Sequence, residues 1–179
     1  MRDSPITMPQ SPSRAGTVIQ IAIVVIVGLL IFRLLFPGPP VAERTLLPSL
    51  AGVAWLDDPP PEDLSGRIVL VDIWASWCGP CLAQMPDMVA LHEKFADSGV
   101  VFIGLSPEPP TALPQIKAVV DGYPGMTWPI GYDAIETIEQ LDWDHAVPTY
   151  ILFDRTAKAV WSDHSHRGLE DELVRMLAE

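Results

Sequence analysis

The stretch Ile68-Val69-Leu70-Val71-Asp72-Ile73-Trp74-Ala75-Ser76-Trp77-Cys78-Gly79-Pro80-Cys81 sets an apolar, β-branched run directly before two cysteines three positions apart. Residues 68–74 are apolar except for Asp72, the pattern of a central strand buried on both faces. Gly79-Pro80 suits a tight helix start, because proline in the first turn loses no intrahelical hydrogen bond. The spacing predicts a helix over 78–96, kinked at Pro86. Cys78 then falls at the helix N-terminus, where free backbone N–H groups and partial positive charge favour a thiolate, so it reads as the nucleophile. Cys81, one turn further on, is placed to attack a mixed disulfide formed by Cys78 and release a reduced substrate. Two cysteines are too few for a stapled scaffold or a four-thiolate zinc site. The alternative to redox chemistry is a static disulfide or two incidental thiols.

Downstream, strand and helix patterns alternate. Residues 100–105 read as a second buried strand, 111–120 as a helix, 127–130 as a short extended piece and 134–141 as a helix. Residues 149–153 and 159–162 flank Asp154-Arg155-Thr156-Ala157-Lys158 as a hairpin, and 169–177 form a closing helix. This order describes a three-layer α/β domain with a mixed sheet.

Upstream, residues 18–36 are apolar except for Gln20 and Arg33. As a helix they span roughly 28 Å, about the hydrocarbon thickness of a bilayer. The competing reading is a cleaved signal peptide, whose apolar region is usually about 7–15 residues. This run is longer, and Pro37-Gly38-Pro39-Pro40 offers no small-x-small cleavage site. The expected organisation is a tail over 1–17, a transmembrane anchor over 18–36, a proline-rich linker over 37–48 and a domain over 49–179. Arg2 and Arg14 precede the apolar run while Arg33 and Arg44 lie at or after its end, so charge does not fix the orientation; an exported domain is permitted. Formal net charge is −12, and beyond residue 36 there are 8 Lys+Arg against 22 Asp+Glu, or −14. Such a surface repels phosphate backbones, which excludes nucleic acid as a partner.

Over residues 46–179 the sequence resembles the thioredoxin superfamily, and within it the membrane-tethered TlpA/ResA/DsbE-like group. The resemblance is carried by residues 71–81, by Pro86 and by Ala146-Val147-Pro148-Thr149. It implies a thioredoxin fold, with a mixed central sheet flanked by helices, following the single membrane helix. It also implies that Pro148 is a cis-proline facing the cysteines, that Val147 offers its backbone to an extended substrate segment, and that Gly79 and Pro80 belong to the same substrate-facing surface. Trp77 either joins that surface or packs; Trp74 reads as core. In cytosolic-type thioredoxins an aspartate at the position of Asp72 relays the proton of the second cysteine, and the resemblance gives Asp72 this role. The bland alternative is a strand-end carboxylate, which needs a partner to offset the cost of burial. The tethered group typically has a glutamate three residues after the second cysteine. Here that residue is Gln84, whose amide cannot accept a proton at neutral pH, so the acid/base role shifts to Asp72.

The function implied is that of a monomeric reductant of protein disulfides in the inner membrane, its domain in the periplasm or an equivalent extracytoplasmic space. Its substrates would be cytochrome c haem-attachment or copper-site cysteines, and a transmembrane protein would donate its electrons. No cofactor beyond the redox-active Cys78–Cys81 pair is implied, and no metal. The Gly79-Pro80 dipeptide matches thioredoxin, at the reducing end of the superfamily; an oxidase or isomerase of disulfides is the alternative direction. The rival class is a copper-binding assembly module using Cys78 and Cys81 with a histidine, since soft thiolates suit Cu(I). Copper-assembly relatives carry three residues between the cysteines, and here there are two. His164 and His166 form a His-x-His that either binds a metal or merely shares an edge-strand face. His92 and His145 read as surface residues, and Asp133, Glu136, Glu139, Asp142 and Asp144 as a solvated face.

Overall fold

A computed structural model describes residues 24–26 and residues 45–179 apart from 142. Residues 24–26 are helical and exposed; the rest of the expected anchor, the tail, residues 37–44 of the linker and Asp142 lie outside the described residues. Among the described residues no helix is long and apolar enough to cross a membrane.

The domain is built on six strands: β1 (Ala54–Trp55), β2 (Ile68–Ile73), β3 (Val100–Leu105), β4 (Ile130–Tyr132), β5 (Thr149–Phe153) and β6 (Ala159–Asp163). They lie in the order β1-β4-β3-β2-β5-β6. β2, β3 and β4 run parallel, while β5, β6 and β1 are antiparallel to their neighbours, which gives the mixed sheet expected. Four helices flank it: α1 (Gly79–Phe95), α2 (Leu113–Gly122), α3 (Ile135–Ile138) and α4 (Leu169–Leu177).

The period of two along β2 divides the core. Ile68 and Leu70 face a cluster containing Cys81, Met85, Met88, Leu91 and Phe95 of α1 and Leu169, Leu173 and Met176 of α4. Val69, Val71 and Ile73 face a second cluster with Ile138 of α3 and Leu141. Both faces of β2 are thus buried, which is why its sequence is a continuous apolar run rather than an alternation.

Several element ends differ from those read in the sequence. The first helix begins one residue later, because Cys78 is its N-cap in an extended conformation, and it gives way at Ala96 to a 3₁₀ turn closed by Gly99 at φ 81°. α2 starts at Leu113, after a 3₁₀ turn over Pro110–Ala112. The short extended piece expected over 127–130 is β4, displaced to Ile130–Tyr132 beyond Pro129. The helix expected over 134–141 is a single α turn followed by 3₁₀. β1, only two residues long, leaves no periodic signal. Residues 45–47, read as linker, pair with the β5–β6 hairpin: Leu47 N–H donates to Ala157 O at 2.9 Å, and Ala159 N–H to Thr45 O at 2.8 Å.

Pro86 sits inside α1, and with no N–H it leaves the carbonyl four residues back, Leu82 O, without its helical donor. Tyr123, just past α2, supplies the missing donor, its hydroxyl lying 3.0 Å from Leu82 O. The excursion between β3 and β4 therefore holds the first turns of the cysteine-bearing helix. Tyr123→Phe removes this bond while leaving the ring in place. It is expected to cost about 1–2 kcal/mol in chemical denaturation, with an unchanged m-value.

Candidate active site

Cys78 and Cys81 are joined in a disulfide at the start of α1. Cys78 caps the helix with its own sulfur: Cys81 N–H donates to Cys78 Sγ at 3.1 Å. Both cysteines are nearly covered, at 3% and 2% relative exposure, so exposure does not separate them; position on the helix does. Trp77 beside them is 70% exposed, and Gly79 and Pro80 are exposed too, while Trp74 is fully buried. The peptide bond between Val147 and Pro148 is cis. Pro148 is buried; Val147 is half-buried and packs against both core clusters, the one holding the cysteines included.

Asp72 has the parity of Ile68 and Leu70 along β2, so it points to the face that α1 covers. Its cross-strand neighbours are Gly104 on β3 and Tyr150 on β5, neither of them cationic. A side chain at Gly104 has no room: a Cβ there would lie 2.7 Å from Ile130 Cδ1 and 3.1 Å from the indole nitrogen of Trp74. Asp72 is 3% exposed and its Oδ1 has no hydrogen-bond partner. Burial alone pushes its pKa up to about 7. Burial, then the nearness of Asp72 and Asp87, also raises the Tyr150 hydroxyl well above its ordinary value. The partner that a merely structural carboxylate needs is therefore missing.

A second carboxylate escaped the sequence reading. Glu108, buried just after β3, accepts from Ser76 N–H at 2.6 Å and Ser76 Oγ at 2.7 Å, and from Ser106 Oγ at 3.0 Å. It thereby fixes the loop two residues before Cys78. The signal that marks it is the acid in Ser106-Pro107-Glu108-Pro109, at the carboxyl end of a parallel strand neighbouring β2, where sites on open α/β sheets collect.

The histidines depart from their expected surroundings. β6 ends at Asp163, whose carboxylate accepts from Ser165 N–H at 2.9 Å, so His164 and His166 lie on a turn rather than on an edge strand. His164 reaches Pro148 O and Asp144, whereas His166 reaches Gln84 Oε1 at 2.9 Å and Asp87 Oδ2 at 3.3 Å. Gln84 is thus held by an imidazole. His92 is half-buried rather than superficial: its ring packs edge-on against Phe102 with centroids 5.0 Å apart, and burial pulls its pKa down. His145 is exposed as expected.

A family model described as Redoxin matches residues 61–170. The "Thiol-disulfide oxidoreductase ResA" of Bacillus thuringiensis (strain Al Hakam) is 31% identical over 99 residues, 55% of this chain and 56% of that protein. The chain spans about half the length of the curated relatives it matches. A solved thiol:disulfide interchange protein of the thioredoxin family from Chlorobium tepidum TLS superposes with a TM-score of 0.63 at 26% identity, covering 76% of this chain and 98% of that one. The thioredoxin domain of a thiol-disulfide oxidoreductase from Bacteroides vulgatus superposes at 0.65 with 20% identity, over 76% and 99%, a likeness of fold. The fold is thioredoxin-like, as the sequence implied.

The isolation of Asp72 has a consequence for stability. Unfolded, it releases its proton near pH 3.8; folded, near 7. Between these values the folded state holds more protons than the unfolded one, so stability falls as pH rises, by as much as about 4 kcal/mol once pH exceeds 7. Asp72→Asn lacks this fall. Denaturant unfolding of both proteins from pH 4 to 8.5 should show the variant gaining on wild type as pH rises and levelling off above 7; a pH-independent difference would contradict the raised pKa.

Proposed function

The chain belongs to the Redoxin family, and on that footing we propose that it is a thiol:disulfide oxidoreductase that reduces protein disulfides through Cys78 and Cys81. The observation that carries this reading is the disulfide capping α1, with a partnerless buried carboxylate on the strand face beneath that helix. When the disulfide is opened, the Cys81 N–H that now meets Cys78 Sγ, together with the helix N-terminus, stabilises a thiolate there. That thiolate attacks one sulfur of a substrate disulfide; the substrate S–S bond breaks, a mixed disulfide forms, and the departing substrate sulfur takes a proton. Asp72, as carboxylate, accepts the proton of Cys81. The Cys81 thiolate then attacks Cys78 Sγ, closing the Cys78–Cys81 bond and expelling the second substrate sulfur. Two electrons pass to the substrate, and a dithiol donor must return them.

A carboxyl group that titrates near 7 suits this relay, because at neutral pH about half of it is ionised and that half is basic enough to take a proton. Gln84 has no such capacity, and His166 holds its oxygen. Trp77, Gly79, Pro80 and the Val147-Pro148 backbone form the surface that receives an extended substrate segment. The reading extends to the whole chain: residues 18–36 anchor it in the inner membrane, 37–48 tether a monomeric domain outside the cytoplasm, and a transmembrane protein supplies electrons. Its substrates are cysteine pairs of proteins under maturation, those of cytochrome c or a copper site among them.

Three measurements test this on the full chain. Cys81→Ser should accumulate mixed disulfides with protein substrates while Cys78→Ser does not; trapping by Cys78→Ser instead would reverse the roles. Asp72→Asn should slow reduction of a model disulfide at least about tenfold near neutral pH, and Gln84→Glu should restore part of that rate in the same background. Protease added to intact spheroplasts should digest residues 49–179, and full protection of that segment would sink the proposed topology.

A further inference from the structure

The register of β5 and β6 brings the chain past Asp163, which pairs with Tyr150, so that His164 arrives beside Thr149 and Pro148. Its Nδ1 lies 2.9 Å from Pro148 O and 3.1 Å from Thr149 Oγ1, and its Nε2 lies 3.1 Å from Asp144 Oδ2. The hydrogen of the Thr149 hydroxyl is committed to Ala146 O at 2.8 Å. Both neighbours of Nδ1 therefore act as acceptors, and Nδ1 must be the donor, shared between them. Asp144 is itself fixed, accepting from Ala146 N–H at 3.1 Å, and Trp143 Nε1 donates to Ala146 O at 2.6 Å. The segment between Trp143 and Thr149 is tied to itself by these bonds, and His164 ties it to β6.

Resting on the function proposed above, we infer that His164 is a positioning residue that fixes the Val147-Pro148 backbone for pairing with the extended segment of a protein substrate. The carbonyl it holds belongs to the residue after Val147, so the imidazole sets the orientation of the peptide unit that follows the cis bond. A protein substrate lays main chain against this edge and depends on that orientation. A small disulfide meets only the sulfurs and does not. His164 thus governs which disulfides are taken rather than the exchange chemistry itself, and the His-x-His of the sequence serves the substrate loop at its first position and α1, through Gln84 and Asp87, at its second.

The test compares second-order rate constants of the pre-reduced full chain with two probes, oxidised insulin and hydroxyethyl disulfide. In His164→Ala the ratio of the insulin constant to the hydroxyethyl disulfide constant should fall about tenfold, the size of one lost hydrogen bond to a fixed acceptor. His164→Asn, whose amide N–H can occupy the place of Nδ1, should recover most of the ratio. His164→Gln, whose amide reaches the place of Nε2 and not that of Nδ1, should leave the ratio about as low as His164→Ala does. A general loss of structure would lower both constants together, and should His164→Ala fail to fold, the contrast between His164→Gln and His164→Asn carries the test. A wild-type ratio in His164→Ala or His164→Gln, with wild type active on insulin, would overturn this inference alone; a wild-type chain inactive on both probes would overturn the proposed function and this inference with it.

Discussion

The first turn of α1 leaves backbone N–H groups without carbonyl partners, and the sulfur of Cys78 occupies the place where a capping oxygen normally sits. Much of the surrounding structure keeps that junction in place. β2 delivers the chain to it from between two parallel or antiparallel neighbours, Glu108 ties down Ser76 just upstream, and Tyr123 completes the carbonyl that Pro86 orphans downstream. These three supports come from separate parts of the chain. The local geometry of the cysteines is therefore a property of the whole domain.

Electrostatically, the domain keeps two kinds of acid apart. Most of its carboxylates lie in water and give the chain its net charge of −12. Asp72 is of the other kind, flanked by a glycine on one strand and a tyrosine on the other, with nothing cationic across either pairing. Glu108 shows what a buried carboxylate looks like when its role is to hold structure, with donors on both oxygens. The contrast between the two, on neighbouring strands of the same sheet, is between a buried carboxyl group left without donors and one used as a clamp.

The strand-to-helix junction was legible in the sequence because its signals agree: a doubly buried apolar run, a proline at a helix start and two cysteines one turn apart. Elements with weaker periodicity were read less well. β4 hides behind Pro129 and Gly131, and α3 is too short to show a helical repeat. Asp72 announced itself by interrupting an apolar strand, whereas Glu108 sits between prolines in what reads as a loop and becomes meaningful only when β3 is laid beside β2. The histidines carried the least information. Spacing of two suggests a shared strand face, but a turn at Asp163 sends them to different partners.

One feature of the site, the near-complete covering of both cysteines beside an exposed indole, bears on how such a pair survives among other thiols and oxidants. Thiol exchange needs collinear approach of three sulfurs, and a pair with so little surface presents few directions for it. Free small thiols collide with the protein mostly elsewhere. A partner docked as proposed on Trp77 and the neighbouring backbone would bring its own sulfur to the pair and hold it there, so its effective concentration would be far above that of anything in solution. Kinetic insulation of this sort lets a redox couple stay out of equilibrium with its surroundings: the traffic through it is set by who can dock, and the ambient potential is felt only through those that do.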